Sequence, residues 1–297
     1  MGFRGGISQR QRRFGDELRR LRTEAGYSAP EAGALVGMKG PAVSHTEAGR
    51  ISLNAERLEV WLDAYGCTDP VYRAKLADMA RSTGKGWWTD FADRVPALSL
   101  DLAEAEASAA VIDNYETFYL PGYLQLPAYA EAIYEDSHHN RKLDVTAEVE
   151  FRLKRQRILT DMPRREFRFV IHETALRMRF PGDAVMRAQM LHLLEVSELP
   201  NVTIQVLPFT AAKKPPHTGQ FLLLAPGAEE LSTVVVDHPS HTEYLGDQHS
   251  IVTYSRTFNQ LSNLALPPVD TNQSMVTLSS PRDSWGLIRH LLYLLQT

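Results

Sequence analysis

Residues 28–50 read SAPEAGALVGMKGPAVSHTEAGR, and the fold of the first part of the chain depends on this stretch. Two short helical segments flank a turn centred on Gly37. Ser28 and Glu31 have the spacing of a capping box, in which each side chain accepts a hydrogen bond from the other residue's amide. Pro41 suits the first turn of the second segment, because its fixed φ is already helical. The stretch therefore predicts two helices joined by a tight turn.

Helical patterns continue on both sides of this stretch. Ser8 and Gln11 form another capping-box pattern, and Gly26 marks the end of the helix that begins there. Its apolar residues recur at helical spacing: Phe14, Leu18, Leu21 and Ala25. Asn54 and Asp69 are typical N-caps of two further helices. Five short helices in roughly 70 residues predict one all-α domain.

This order of helices resembles the Xre/Cro-type, or lambda-repressor-like, helix-turn-helix module, whose second crossed helix enters the major groove of DNA. The residues that fit the family pattern are Ser28, Glu31, Gly37, Val43, Ser44, Glu47 and Gly49. The resemblance implies a set of DNA contacts: Ser28, Ala29, Lys39, Gly40, Pro41, Ala42, Ser44, His45 and Arg50. It also implies an internal role for Glu47, because a carboxylate that faced phosphate would be repelled.

Four positions depart from the family pattern. Ala29 replaces a polar residue that is often Gln, His45 replaces an Arg, and Ala32 replaces a Leu. Gly33 replaces Ala and would cost about 1 kcal/mol inside a helix. We expect the module to bind DNA weakly unless it dimerises; the alternative is a module retained for oligomerisation alone.

Positive charge is concentrated at the N-terminus. Residues 1–22 carry seven arginines against Asp16 and Glu17, which gives 7 − 2 = +5, so that the rest of the chain totals −4 − 5 = −9. A basic end on an acidic body is typical of one DNA-facing domain attached to another. Arg19 and Arg22 are therefore added to the predicted DNA contacts.

Composition sets the class of protein. The chain has 297 residues, of which 43% are hydrophobic and 23% charged, as expected for two or three globular domains. No apolar run reaches the roughly 18 residues of a membrane span, and the N-terminus has no signal-peptide pattern. Cys67 is the only cysteine. A reducing cytoplasm is therefore expected.

The second part of the chain carries a series of weak motifs in a fixed order. They are Trp87-Trp88 after Gly86, Pro121-Gly122-x-Leu124-Gln125, Glu173 after a strand, Met186 with Gln189, and Val206-Leu207-Pro208-Phe209. Together they resemble the C-terminal domain of actinobacterial Xre-type regulators, including Scr-type antitoxin-like and WhiJ-like regulators. The resemblance implies a domain of unknown function that often occurs beside a small partner protein.

Periodicity in this region indicates helices over 145–161, 183–198 and 248–264, and four strands over 167–171, 202–207, 221–225 and 233–236. We expect an all-α N-terminal lambda-repressor-like helix-turn-helix domain and an α+β C-terminal domain with a small mixed sheet of four strands. The predicted boundaries are 8–82 for the helix-turn-helix domain, 83–110 for a linker and connecting helix, 111–270 for the α+β domain, and 271–297 for a tail with an apolar helix.

Several residues are candidates for a ligand or partner site. Aromatic side chains could line a pocket, although packing in a core is the competing interpretation: Trp87, Trp88, Phe91, Tyr115, Phe118, Tyr119 and Tyr123. Glu173, just past a strand, is a further ligand or partner candidate: with His172 it could be an acid/base pair, and the competing interpretations are a satisfied polar pair or part of a recognition surface. The histidines around His238 and His241 lack the fixed ligand spacing of a zinc site. No catalytic or cofactor motif occurs, so that we expect neither an enzyme nor a cofactor or metal. The tail could pack on its own chain or on a partner.

These observations predict a cytoplasmic, DNA-binding transcriptional regulator that forms a homodimer. A C-terminal domain that binds a small molecule or a small partner protein would control it. The alternative is an antitoxin-like interaction protein that holds a neighbour-encoded partner and for which DNA binding is secondary.

Overall fold

The structure is a computed structural model that describes residues 6–136, 144–269 and 283–295. The chain divides into two compact units. Among the described residues, the helical unit consists of residues 6–92, 96–109 and 225–233, and the sheet unit consists of residues 93–95, 110–136, 144–224, 234–269 and 283–295. The segment 83–110, for which the sequence predicts a linker and a connecting helix, therefore lies largely within the helical unit.

The helical unit contains the five expected helices and a sixth that follows them. Their bounds are α1 Gln9–Glu24, α2 Ala29–Leu35, α3 Gly40–Glu47, α4 Ala55–Ala64, α5 Pro70–Arg81 and α6 Ala97–Ala107. Both predicted capping boxes form, at Ser8 with Gln11 and at Ser28 with Glu31. The all-α N-terminal domain is confirmed.

Two glycines allow α1, α2 and α3 to pack closely. A Cβ added at Gly33 in α2 would lie 2.5 Å from the Met38 carbonyl oxygen in the turn before α3. One added at Gly15 in α1 would lie 2.2 Å from the carbonyl oxygen of Glu47, the last residue of α3. Gly33 therefore has a packing reason that helix propensity alone does not show.

The sheet unit is built on six strands rather than the four expected. Their bounds are β1 Val111–Glu116, β2 Glu166–His172, β3 Val202–Leu207, β4 Phe221–Ala225, β5 Thr233–Asp237 and β6 Thr242–Leu245. The order is β3-β2-β1-β4-β5-β6, with β1, β2 and β3 parallel and β5 and β6 antiparallel. The α+β class with a mixed sheet is confirmed, but the count of strands was wrong.

The two missed strands lack an apolar pattern. Asp113 and Asn114 interrupt β1, although both are buried because Arg168 pairs with Asp113 and the Asn114 amide donates to the Phe221 carbonyl oxygen. The strand β6 is four residues long and largely polar. Tertiary partners, rather than alternation, therefore place these residues in the sheet.

Helices and loops cover the sheet. The helices of this unit are α7 Pro127–Asp136, α8 Val145–Gln156, α9 Ile158–Asp161, α10 Glu173–Arg177, α11 Asp183–Val196, α12 Gln248–Leu264 and α13 Ser284–Leu294. The expected helix over 145–161 is divided into α8 and α9. In α11, the Gln189 amide donates to the Leu124 carbonyl oxygen and its oxygen accepts from the Leu126 amide.

The outer edge of β3 is covered by the chain's own C-terminal part. The amides of Leu266 and Val269 each donate to β3 carbonyl oxygens at 2.9 Å, and the Ser284 hydroxyl accepts from the Val206 amide at 2.8 Å. Ile288 of α13 is fully buried. The described part of the tail therefore packs on its own unit; residues 271–282 of the predicted tail lie outside the described residues.

Candidate nucleic-acid interface

One face of α3 and its N-cap are exposed and largely polar. Lys39 is the N-cap, and it is exposed together with Pro41, Ser44 and His45. Gly40 and Ala42 are half-buried, whereas the opposite side of the helix is buried at Val43, Thr46 and Glu47. Arg50 is exposed directly after the helix. The structure thus places the predicted contacts of the second crossed helix along one accessible surface.

A buried ion pair fixes the C-terminal end of α3. Glu47 is 2% exposed and accepts from Arg22 of α1 through both carboxylate oxygens, at 2.5 and 3.0 Å. Arg22 also donates to the Tyr27 carbonyl oxygen at 2.7 Å, and the hydrogen bond to Glu47 raises the pKa of its guanidinium. The internal role of Glu47 is confirmed, and the guanidinium of Arg22, a predicted DNA contact, is engaged within the unit.

Other arginines of the basic stretch also face inward. Arg10 donates to Glu104 and to the Met79 carbonyl oxygen, and Arg20 donates to Glu24 and to the buried Glu17. The charge pattern of the sequence could not distinguish arginines in internal ion pairs from arginines that contact DNA phosphates, because either role is compatible with an arginine on α1. Arg12 and Arg19 are exposed, and Arg19 Nε lies 3.6 Å from the Oε2 oxygen of the Glu47 carboxylate.

The start of α2 is held by its capping box. The Ser28 amide donates to the Glu31 carboxylate at 2.7 Å, and hydrogen bonds from Ser28 lower the pKa of that carboxyl. Ser28 is exposed and Ala29 half-buried. The first turn of α2 is therefore accessible, with an acid already near its N-terminal amides.

The aromatic candidates for a ligand site are divided between the two units. Trp87 and Trp88 belong to the helical unit, whereas Tyr115, Tyr119 and Tyr123 belong to the sheet unit. Tyr115 and Tyr123 are buried in the core of their unit, as is Trp88 in its own. For the buried ones, core packing is the better interpretation, and a pocket lined by the aromatic candidates stays a prediction.

Tyr119 and Glu173 lie at the edge where the parallel strands end. Glu173, which follows β2, is 4% exposed and accepts from Arg177 at 2.7 Å and from the Phe209 amide at 2.8 Å. Exposed aromatic side chains follow all three parallel strands at this edge, and we call them the aromatic edge: Phe118, Tyr119, Phe180 and Phe209. The Tyr119 and Phe180 rings meet edge to face at 5.6 Å.

Sequence reasoning missed Glu116, the last residue of β1 at this same edge. Burial raises the pKa of its carboxyl to about 7, against a lowering by the hydrogen bond that the Asn114 amide donates. The presence of a carboxyl at the end of a strand was visible in the sequence, but its burial was not.

The described residues contain no group of three or more metal-ligating side chains and no helix long and apolar enough to cross a membrane. The geometry of the helical unit is that of a helix-turn-helix protein in which α3, the second helix of the pair, has an exposed face. This unit is joined to an α+β unit.

Comparison with known families agrees with this class. The chain belongs to the family described as "Domain of unknown function (DUF5753)", which matches residues 100–275, more than half of its length. Residues 13–76 match the family described as "Helix-turn-helix domain". No curated protein and no solved structure matches the chain. The helix-turn-helix match supports a DNA-binding regulator with a second domain of unknown function.

Proposed function

We propose that the protein is a sequence-specific transcriptional regulator of the Xre type, which inserts α3 into the major groove of operator DNA. The observation that supports this best is the arrangement of α3. One face of the helix exposes Ser44 and His45, next to the exposed N-cap Lys39, while Glu47 and Arg22 fix the C-terminal end to α1. A rigidly held helix with accessible donors on one face is what groove recognition requires.

Each exposed residue has its own part in this proposal. Ser44 and His45 read base edges, Lys39 and Arg50 contact phosphates, and Gly40, Pro41 and Ala42 allow the helix start to approach the groove closely. Arg19 contacts the sugar-phosphate backbone of the DNA. The first turn of α2, with Ser28 and Ala29, faces a DNA phosphate. Arg22 contributes by holding Glu47.

The proposal is tested by selecting bound fragments from a genomic library with the full chain, then measuring affinity against salt concentration. We expect affinity to fall steeply with salt, and Lys39→Ala to weaken binding and reduce the salt slope by about one. Lys85→Ala is the matched control, because Lys85 is an exposed lysine of the same unit outside α2 and α3. Failure to select any fragment at low salt would overturn the proposal.

A homodimer would compensate for the weak contacts expected of Ala29 and His45. Two linked modules bind far more tightly than one, provided that both can reach the DNA. We therefore propose paired half-sites with centres about 34 Å apart, one helical turn of DNA. Footprinting of the selected fragments would show two protected patches at that spacing, whereas a single patch would indicate a monomer.

The aromatic edge supports a second candidate function, in which the sheet unit holds a small partner protein or a small-molecule ligand. Phe209 is 59% exposed and Phe118 58%, at the carboxyl ends of parallel strands where ligands commonly bind in open sheets. Either occupant would make the protein a switched regulator, and a stoichiometric protein partner would make it antitoxin-like.

A further inference from the structure

A segment between two strands of the sheet belongs to the helical unit. Residues 225–233 connect β4 and β5, which are neighbours in the sheet, yet they are grouped with the helices. Leu231 is 3% exposed and Ala228 6%, and both lie in the apolar core of the helical unit. That core also contains residues from α1, α4 and α5: Phe14, Leu18, Trp61, Tyr72 and Leu76. A turn that merely linked two strands would not need to bury a leucine there.

Arg13 ties the backbone of this segment to α1 and α5. Its guanidinium donates to the carbonyl oxygens of Glu230 at 2.6 Å and Ser232 at 3.3 Å. It also donates to the Glu17 carboxylate at 2.5 Å, and Glu17 accepts from the Tyr72 hydroxyl at 2.5 Å. One arginine thus joins the segment to a buried carboxylate shared by two helices of the unit.

The same helix that carries Arg13 is in direct contact with α3. Two residues further along α1, Gly15 packs so closely on the Glu47 carbonyl oxygen that a Cβ has no room. Arg22 of α1 holds the Glu47 carboxylate. Since cores are close-packed, a displacement of α1 is transmitted to the end of α3 rather than absorbed.

We propose that residues 225–233, here called the β4–β5 segment, position the DNA-binding helices, with Leu231 and Arg13 as the positioning residues. Because the segment is covalently continuous with β4 and β5, an event that reorders these strands withdraws Leu231 from the core and loosens α1 against α3. The sheet unit would control DNA affinity by this route. The inference rests on the proposed function for its DNA-binding consequence, but not for the packing itself.

The packing is tested without DNA by hydrogen exchange on the full chain. Leu231→Ala leaves a cavity, and we expect the amides of Gln9–Glu24 and Pro70–Arg81 to lose on the order of 100-fold in protection. Leu231→Met should retain most of it, and Glu229→Ala, an exposed residue of the same turn, should change nothing. Unchanged exchange in α1 and α5 for Leu231→Ala would overturn the proposal. If that variant fails to fold, Leu231→Val gives the same comparison more mildly.

The coupling between the β4–β5 segment and DNA binding is tested by repeating the hydrogen-exchange measurement in the presence of a DNA fragment that the wild-type chain has selected. Coupling between two sites is reciprocal: if packing of the β4–β5 segment in the helical core favours DNA binding, bound DNA must in turn favour that packing. DNA should therefore slow hydrogen exchange of the amides of residues 225–233. This protection should disappear in Leu231→Ala but persist in Leu231→Met. DNA-dependent protection of α3 without any change in the segment would overturn the coupling. If the wild-type chain binds no DNA, the proposed function fails together with the coupling, and the exchange without DNA still decides the packing.

Discussion

At the scale of single residues, buried charge explains how the helical unit is held together. Glu47 and Glu17 are each 2% exposed, and each is surrounded by arginines from α1. Removing one partner of such a pair leaves an uncompensated charge in the interior, which costs more than the pair contributes. The arginine-rich N-terminus is therefore an internal scaffold as well as a source of positive charge.

Replacement of Glu47 by alanine should destabilise the protein strongly. Arg22 is 14% exposed in its side chain, so that it would lose both hydrogen bonds in a largely buried place. We expect a loss of about 3–5 kcal/mol in the free energy of unfolding, measured by urea denaturation. Glu56→Ala, at an exposed acid in the first turn of α4, is the control and should cost well under about 1 kcal/mol. Equal effects of the two variants would contradict the buried clamp.

Glu116 should make stability depend on pH. Its folded-state pKa of about 7 lies above the ordinary value of 4.5, so the folded state favours the protonated form. Its stabilising contribution is complete below the ordinary value and is lost as pH rises to about 7. Glu116→Gln should therefore be more stable than the wild type at about pH 8, by at most about 3 kcal/mol, and equal to it at about pH 4.

Thermal unfolding across that range provides the measurement for Glu116. The exposed Glu229→Gln is the control and should show no pH-dependent difference from the wild type. A Glu116→Gln variant with the same pH profile as the wild type would show that the carboxyl is ionised at neutral pH.

At the scale of elements, the close approach of α1, α2 and α3 depends on the absence of side chains. Helix α2 has only seven residues, and one of them is Gly33. Propensity alone predicts that alanine at this position would strengthen the helix. The Met38 carbonyl oxygen occupies the space that this alanine would need, so packing and propensity oppose each other and packing decides.

Gly33→Ala should therefore destabilise the protein, by more than about 1 kcal/mol, because the turn before α3 must shift to admit the methyl group. The reverse change at the next position, Ala34→Gly, is the matched control: residue 34 is exposed, and the cost should be about 1 kcal/mol from propensity alone. Denaturation midpoints compare the two. Stabilisation by Gly33→Ala would show that α2 is limited by propensity after all.

At the scale of the whole molecule, the chain combines the exposed face of α3, the proposed DNA contact, on one unit with the aromatic edge on the other. Contiguous exposed apolar side chains commonly mark a binding site, and the Tyr119 and Phe180 rings of this edge are in contact. His172 and Arg177 flank Phe209, with the histidine ring 5.4 Å and the guanidinium 5.7 Å from the Phe209 ring. Burial lowers the pKa of His172, so the cationic group at this edge is the Arg177 guanidinium.

The combined change of Phe180 and Phe209 to serine should abolish partner binding without unfolding the protein, because both side chains are exposed. We expect a stoichiometric partner that co-purifies with the wild-type chain to be lost from this variant. Val71→Ser, at an exposed valine of the helical unit, should retain it. A partner retained by the phenylalanine variant would bind elsewhere, and this would remove the support for the second candidate function.

The sequence by itself determined the five N-terminal helices of the helical unit. Caps and glycine stops are local signals, so Ser8, Ser28 and Gly37 fixed the helix ends before any packing was known. The long amphipathic helix α12 was likewise predicted with its observed bounds, because apolar spacing over 17 residues is unambiguous.

Only the tertiary structure decided which arginines face inward, that six strands form the sheet, and that residues 225–233 complete the helical core. The physical reason is the same in each case. A guanidinium, a buried Asp113 or a leucine in a connecting turn acquires its role from partners that are distant in sequence: Glu47 lies 25 residues from Arg22, and Glu230 lies 217 residues from Arg13. Periodicity and capping describe neighbours along the chain and carry no information about such pairs.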